Sequence, residues 1–392
     1  MKTWYFSECP YPTLPDADEY DSIRVSLPSS YYDPTEGARL YSMYLDLWQA
    51  ADDLGLNVMT NEHHQTATCL VPAVPIIAGI LARTTKNARI LILGNPIANR
   101  RDPVRVAEEM AMIDNISNGR LEVGFVRGVP FEVLPANSKP VGMSDRMWEA
   151  HDLILKAWTT VDGPFSWEGS WNYRYVNVWP RTYQQPHPPV WITGTSVSSA
   201  PRIARAGHTL AAFVTGYGAT KRLYDAYRQA WAEAHGKAGV PADRLAYGVQ
   251  VYVADTVEAA HAAAIKMRWY FDANKVPRHL GSPPGYSPPE GVVASRTAAA
   301  PIPQARQAKG KSPEWMIENG VLMAGTPDMV VEQIKRFYDH VGGFGHLLMM
   351  GHAGGLSRSE TMRSLELYAQ HVAPAIAQLG SAAMPVGVGA LS

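Results

Sequence analysis

The residues best suited to chemistry in this chain lie in one short stretch, residues 61–64, which reads Asn-Glu-His-His. The stretch directly follows residues 56–59, an apolar run typical of a buried strand. The unperturbed pKa of an imidazole lies near neutral pH, so His63 or His64 can take up or release a proton there. In a barrel of parallel strands, catalytic groups lie at the C-terminal ends of the strands. The stretch therefore predicts an acid–base site made of Glu62, His63 and His64.

Other interpretations of these three residues are open at this point. They can form a solvated loop, or the first turn of a helix, where an acidic side chain is favourable. A metal site is not expected, because adjacent imidazoles point apart on a helix or strand. No HxxxH or CxxC spacing lies nearby either.

Length and composition are typical of a soluble protein with an ample core. The chain has 392 residues, of which 46% are hydrophobic and 18% charged, and its net charge is −1. This balance gives no reason to expect nucleic acid as a partner. No apolar run approaches the roughly 18 residues of a membrane span, and no signal peptide is evident. Two cysteines are too few for a disulfide framework, which predicts a cytoplasmic location.

Strand patterns alternate with helical patterns along the chain. Apolar runs such as residues 89–93 and 346–350 suit a parallel sheet covered on both faces. The alternation predicts an α/β fold, namely a (β/α)8 TIM barrel with insertions, as a single domain over residues 1–392. A doubly wound open sheet is the alternative, but no GxGxxG follows the first strand. The strand candidates are residues 2–6, 56–59, 89–93, 121–126, 188–193, 209–214, 245–253 and 346–350.

Two stretches interrupt this alternation. Within residues 162–180, polar and aromatic residues alternate around Gly169, which predicts a β-hairpin insertion. Residues 275–312 are rich in Pro, Gly, Ser and Ala and are too long for an ordinary connector. They predict either a disordered excursion or a mobile lid over the barrel mouth.

Glycine, arginine and hydroxyl residues follow three further predicted strands. They are Gly94 and Asn95 after the third strand, Arg127, Gly128 and Arg146 after the fourth, and Gly194, Thr195, Ser196 and Ser199 after the fifth. A glycine lets the backbone approach a flat ligand closely, and a helix start with hydroxyls and guanidinium groups can bind phosphate. Each feature is common by itself in helix caps and on surfaces. Together, at successive strand ends, they predict a phosphorylated cofactor in the barrel mouth.

With these motifs the chain resembles the bacterial luciferase-like flavin monooxygenases. The resemblance is carried by NEHH at residues 61–64, DPVRVAEEMAMIDNISNGRLEVGFVRG at 102–128, QPHPPVW at 185–191 and GTP at 325–327. The second motif is the most specific. The resemblance is strong over residues 40–216 and looser over residues 326–374.

The resemblance implies an enzyme that receives reduced FMN (FMNH2) from a separate flavin reductase. The flavin reacts with O2 to a C4a-peroxyflavin, which oxygenates a small organic substrate. By the same resemblance Gly94 and Asn95 lie beside the isoalloxazine at a cis peptide, and His63 is catalytic, with His64 as its neighbour and Glu62 near the flavin. The residues expected to hold the phosphate and ribityl chain are Arg127, Arg146, Thr195, Ser196 and Ser199. The family also favours a homodimer.

Two positions depart from luciferase. Thr195 stands where luciferase has a glutamate, and Val126 stands where it has a reactive cysteine, which argues against luciferase itself. Two other functions are open: an F420-dependent hydride-transfer enzyme on the same barrel, and a non-catalytic flavin-binding subunit. The sequence does not identify the substrate.

Overall fold

A computed structural model describes residues 1–16, 19–236, 239–287 and 307–380. In these residues eight parallel strands form a closed ring in which each strand pairs with its neighbours along the chain. The last strand pairs with the first and the sixth with the seventh, which closes the ring. The predicted (β/α)8 barrel is therefore confirmed. The ring strands are β1 (Lys2–Ser7), β2 (Asn57–Thr60), β3 (Ile90–Pro96), β4 (Leu121–Val126), β5 (Val190–Thr193), β6 (Thr209–Phe213), β7 (Leu245–Val253) and β8 (His346–His352).

One further parallel strand, Leu322–Gly325, was not predicted. It pairs with the C-terminal half of β7, where Leu322 lies opposite Gln250 and Gly325 opposite Val253. The pairing of β6 with β7 ends at Phe213, opposite Gly248. The extra strand therefore continues the barrel wall beyond the end of β6.

Helices follow the strands and cover the outside of the barrel. Several begin at a polar cap followed by proline: the Asp33 carboxylate accepts from the Thr35 amide, and the Asp102 carboxylate accepts from the Arg105 amide. The helices are Pro34–Asp53, Val74–Thr84, Pro103–Ile116, Met143–Thr159, Ala200–Arg205, Tyr217–His235, Val257–Met267, Trp269–Asp272, Arg278–Gly281, Pro313–Glu318, Pro327–Val341, Arg358–Leu367 and Ala373–Ile376. Among the described residues, no helix is both long and apolar enough to span a membrane.

The interior of the barrel is filled by side chains. Along β1, Trp4 and Phe6 point inward to a cluster with Trp191 of β5, whereas Tyr5 packs outward against the helix layer. Trp4 Nε1 donates to His346 Nδ1 at 3.0 Å, so even the polar atoms of this layer are paired. A filled interior leaves the C-terminal ends of the strands as the place for a ligand.

A two-stranded antiparallel sheet, Phe165–Trp167 with Tyr173–Val176, lies between the helix Met143–Thr159 and β5. Trp167 Nε1 donates to Glu149 Oε1 at 3.2 Å, and the Tyr173 hydroxyl donates to Asp102 Oδ1 at 2.7 Å. The pair is thus attached to two barrel helices. Residues 288–306 of the predicted lid lie outside the described residues, so the lid over residues 275–312 stays a prediction.

Candidate active site

The Asn-Glu-His-His stretch follows β2 and lies at the C-terminal end of the barrel. Its backbone is held by a hydrogen bond from the His63 amide to the Val71 carbonyl at 3.1 Å. Glu62 is buried, whereas the His63 side chain is 16% exposed. The two imidazoles have different partners: His63 contacts Glu132, and His64 contacts Glu62. His64, but not His63, lines a surface cavity of about 380 Å³ together with Phe131.

His63 is paired with Glu132, a residue that the sequence did not indicate. Glu132 ends a short 3-10 turn after β4, and its Oε1 lies 2.7 Å from His63 Nδ1. The same oxygen accepts from the His64 amide at 3.2 Å. Because the two residues are 69 positions apart, only the closed barrel brings them together.

The charge on Glu132 determines what His63 can do. Burial acts to raise the pKa of Glu132, but His63, the His64 amide and Arg24 outweigh it and lower that pKa overall. The group is therefore a carboxylate at neutral pH. A carboxylate at Nδ1 holds the N–H on that nitrogen and leaves Nε2 as the working nitrogen. His63 Nε2 lies 3.9 Å from Glu8 Oε1, at the end of β1.

Glu62 is saturated by partners within the protein. Its carboxylate accepts from Arg100 Nη2 at 2.6 and 2.7 Å and from the Val74 amide at 3.0 Å, at the start of a helix. His64 Nε2 lies 2.8 Å from Glu62 Oε1. This hydrogen bond outweighs burial and raises the pKa of His64. The geometry gives Glu62 and His64 a positioning role in this structure, and their predicted catalytic roles stay predictions.

The backbone at the end of β3 is closely packed, and one side-chain hydrogen-bond donor there has no partner among the described residues. The Leu93–Gly94 peptide is cis. A Cβ built on Gly94 would lie 2.2 Å from Val126 Cγ1, so a side chain does not fit there. Asn95 is fully buried; its Oδ1 accepts from Arg100 Nε at 3.1 Å, and its Nδ2 has no hydrogen-bond partner in the described part of the chain.

Arg100 therefore joins two strand ends, because it binds Glu62 after β2 and Asn95 on β3. Sequence reasoning missed it. Its position six residues after the predicted glycine at the end of β3 was the only available indication, and arginines in such loops are commonly solvated.

The end of β4 carries a cation against an aromatic ring. The Arg127 guanidinium lies 4.2 Å from the ring centre of Tyr286, and its Nε donates to the Tyr286 hydroxyl at 3.1 Å. That hydroxyl donates to the Gly128 carbonyl at 2.6 Å. Gly128 has a φ of +92°, and a Cβ there would lie 2.6 Å from Asn99 Nδ2. Neither side-chain polar atom of the Asn99 amide has a hydrogen-bond partner among the residues described.

The remaining predicted cofactor residues are not joined to this group. Arg146 donates to the backbone carbonyls of Lys139 and Val141, the latter at 2.6 Å, and burial lowers its pKa. After β5, the Ser199 hydroxyl donates to the Ser196 carbonyl at 2.6 Å. Gly194 is buried, whereas Thr195 and Ser196 are exposed. Over the described ranges, no hydrogen bond or ion pair links these hydroxyls to an arginine of the predicted phosphate site.

Comparison with known proteins identifies the class. The model of the luciferase-like monooxygenases matches residues 30–343, and the chain belongs to this family. The family resemblance found in the sequence is thus confirmed, and so is the assignment to a family of oxidoreductases.

Individual relatives are more distant. The oxygenase component of a flavin-dependent trigonelline monooxygenase from Acinetobacter baylyi is 31% identical over 41% of this chain and 45% of its own length. The chain thus spans about half of that relative. Limonene 1,2-monooxygenase from Rhodococcus erythropolis is 26% identical over 84% of this chain and 80% of its own length.

Solved structures share the fold. The oxygenating constituent of 3,6-diketocamphane monooxygenase from Pseudomonas putida, solved with FMN, has a TM-score of 0.69 and 21% identity, covering 95% of this chain and 98% of its own. An F420-dependent secondary alcohol dehydrogenase has a TM-score of 0.62 at 16% identity, covering 96% of this chain and 99% of its own. At these identities the likeness shows the barrel and does not distinguish the two cofactors.

Proposed function

We propose that the chain is the oxygenase of a two-component system, which takes reduced FMN from a separate flavin reductase and uses O2 to oxygenate a small organic substrate. The observation that carries this proposal is the His63–Glu132 pair at the barrel mouth, at a 2.7 Å separation. A carboxylate–imidazole pair beside a strand end is suited to moving a proton during oxygenation.

The residues at the neighbouring strand ends fit a flavin mononucleotide. Gly94 leaves no room for a side chain, which suits a flat ring lying against the backbone. Asn95 Nδ2 is a buried donor without an acceptor among the residues that the structure describes, and a flavin ring offers carbonyl oxygens and ring nitrogens. Arg127 and the hydroxyls of Thr195, Ser196 and Ser199 would hold the ribityl phosphate, with Arg146 adding positive charge. Bound reduced FMN supplies the electrons for the activation of O2.

Within this frame the protein residues have separate tasks. His63 holds or accepts a proton at Nε2, and Glu132 positions that imidazole through Nδ1. Glu62 and Arg100 fix the spacing between the ends of β2 and β3. These tasks do not require Glu62 to touch the substrate.

The test is oxygen consumption by the purified chain with FMNH2, supplied by a generic flavin reductase, across a panel of aldehydes, ketones and aromatic compounds. We expect substrate-dependent oxygen uptake and a product heavier by one oxygen atom. Hydride exchange with F420 and no oxygenated product would instead establish the F420 alternative, which the shared barrel permits. Flavin binding without turnover would establish a non-catalytic flavin-binding subunit.

We also propose a homodimer. Ile76 and Met112 lie on adjacent helices and are 65% and 54% exposed, and an interface between two copies of the chain would cover such side chains. We expect a dimer by analytical ultracentrifugation and a shift towards monomer in the Met112→Glu variant. A wild-type monomer, or a variant that stays dimeric, would refute this assignment.

A cytoplasmic location completes the proposal. Cys9 and Cys69 are both buried and free of disulfides, as expected for a protein of a reducing compartment.

A further inference from the structure

Two further charged residues, Glu8 and Arg24, lie at the barrel mouth. Arg24 helps to keep Glu132 ionised, and Glu8 has no part in the tasks described above. Glu8 follows β1, and Arg24 comes from the loop between β1 and the helix Pro34–Asp53. Their side chains are only 7% and 4% exposed. Yet Arg24 Nη1 and Glu8 Oε2 are 4.0 Å apart, which is too far for a hydrogen bond.

Both residues have an unused polar atom. Glu8 Oε2 and Arg24 Nε are buried and have no hydrogen-bond partner within the described ranges. Buried polar atoms of this kind are rare in native proteins, because each has given up its water without a replacement. The two side chains approach each other to 4.0 Å, between Glu8 Oε2 and Arg24 Nη1, and a bound polar molecule would complete the acceptor on Glu8 and the donor at Arg24 Nε.

The position of Arg24 is fixed by other contacts. Its Nη1 donates to Asn274 Oδ1 at 2.5 Å, and its guanidinium carbon lies 4.8 Å from the ring centre of Phe131. The nearby Ser22 hydroxyl donates to the Lys275 carbonyl. The spare Nε is therefore presented by a held side chain and not by a flexible one.

The pair also adjoins the catalytic imidazole. Glu8 Oε1 lies 3.9 Å from His63 Nε2, the nitrogen that Glu132 leaves available. Burial, followed by the charge of Glu8 and a hydrogen bond to its carboxylate, raises the pKa of Tyr270, so a neutral phenol lies against Glu8 while Oε2 stays without a hydrogen-bond partner among the described residues. A molecule bound to Glu8 and Arg24 would therefore be within reach of His63.

We propose that Glu8 and Arg24 are specificity-determining residues that bind a substrate carrying a hydrogen-bond donor next to a carbonyl, as in a small cyclic amide. The N–H donates to Glu8 Oε2, the carbonyl oxygen accepts from Arg24 Nε, and the rest of the ring faces His63. Purely apolar rings would leave both buried atoms unsatisfied, so they are poor ligands. This inference rests on the proposed function for the identity of the pocket.

The experiment measures binding and needs no turnover. Isothermal titration of the full chain compares 2-piperidone with cyclohexanone, which has the same ring size and carbonyl but no N–H. A hydrogen bond to a charged group corresponds to about 10- to 100-fold in affinity, and we expect the wild type to prefer 2-piperidone by that factor. In Glu8→Leu the preference falls to about onefold, because the acceptor is gone. Arg24→Met weakens both rings, since both lose the donor to their carbonyl.

Two controls keep the result interpretable. Glu258→Leu removes an exposed carboxylate elsewhere and should keep the wild-type preference. Glu8→Gln keeps an acceptor oxygen and should retain part of the preference. The measured quantity is a ratio of two affinities within one variant, so a partly unfolded preparation does not imitate the effect.

Equal affinities in the wild type, an unchanged preference in Glu8→Leu, or no binding of either ring would each overturn the inference. If the preference is found but no oxygenated product forms with FMNH2, the monooxygenase proposal alone fails. If the oxygenated product forms without the preference, the Glu8–Arg24 inference alone fails.

Discussion

The pairing of His63 with Glu132 leads to a quantitative expectation for the Glu132→Gln variant. The change removes the negative charge and keeps the size of the side chain, so a neutral amide faces Nδ1 at the 2.7 Å contact. Hydrogen bonds to a charged group contribute about 1.5–3 kcal/mol, compared with about 1 kcal/mol for a neutral pair. If that difference is expressed in the rate-limiting proton transfer, kcat falls by roughly 3- to 30-fold.

The assay is steady-state turnover with saturating FMNH2, with kcat and KM determined separately. Because Glu132 does not touch the proposed flavin residues directly, we expect kcat to fall while the affinity for reduced flavin stays constant. A double-mutant cycle with His63→Ala sharpens the test: if Glu132 acts through His63, adding Glu132→Gln to His63→Ala causes no further loss.

Glu258→Gln, an exposed position, is the matched control. A wild-type kcat in Glu132→Gln would refute the positioning role. The positioning role would also be refuted if the losses of kcat from the two single changes multiply in the double variant. Independent effects of this kind mean that Glu132 does not act through His63.

Three other changes test different parts of the structure. His63→Ala should leave flavin binding largely intact, slow turnover at least about tenfold and recover part of the rate with added imidazole; a parental rate would contradict the assigned role. Gly94→Ala should lower the free energy of unfolding by about 1–3 kcal/mol in urea denaturation, because its Cβ would lie 2.2 Å from Val126 Cγ1. Adding Val126→Ala should restore part of the loss, and no restoration would contradict the steric explanation. Burial lowers the pKa of His346 to about 3, below the unfolded value of about 6.5, so the folded state loses stability as pH falls from 6.5 towards 3. At pH 5 this amounts to about 2 kcal/mol, and His346→Gln should reduce the stability difference between pH 7.5 and pH 5 by that amount; an unchanged difference would contradict it.

The barrel was predictable because its strands are marked locally. Runs such as residues 89–93 and 346–350 are apolar on both faces, as strands covered by helices must be. The strand Leu322–Gly325 escaped prediction because it runs almost directly into the helix Pro327–Val341, with only Thr326 between them. Its pairing with β7 depends on where β6 ends, which a local pattern does not encode.

The site was only partly predictable for a similar reason. Strand ends could be located, so the placement of His63, Asn95 and Arg127 at the ends of β2, β3 and β4 was predictable from the apolar runs that precede them. Their partners Glu132 and Arg100 lie in loops, and nothing in those loops marks the contacts that the folded barrel creates. Glu62 was predicted to lie near the flavin. Its carboxylate accepts hydrogen bonds from Arg100 and from the amide at a helix start, and these contacts depend on tertiary packing that a hydrophobic pattern in the sequence does not describe.

Arg100 has a consequence for how such a site can diversify. The Arg100 guanidinium connects the loop that carries His63 to the end of β3. It contacts Glu62 on one side and Asn95 on the other. The length of the Arg100 side chain therefore sets the distance between the two strand ends. Substitutions elsewhere on the rim can therefore change the surroundings of this site while Arg100 keeps the spacing between the ends of β2 and β3.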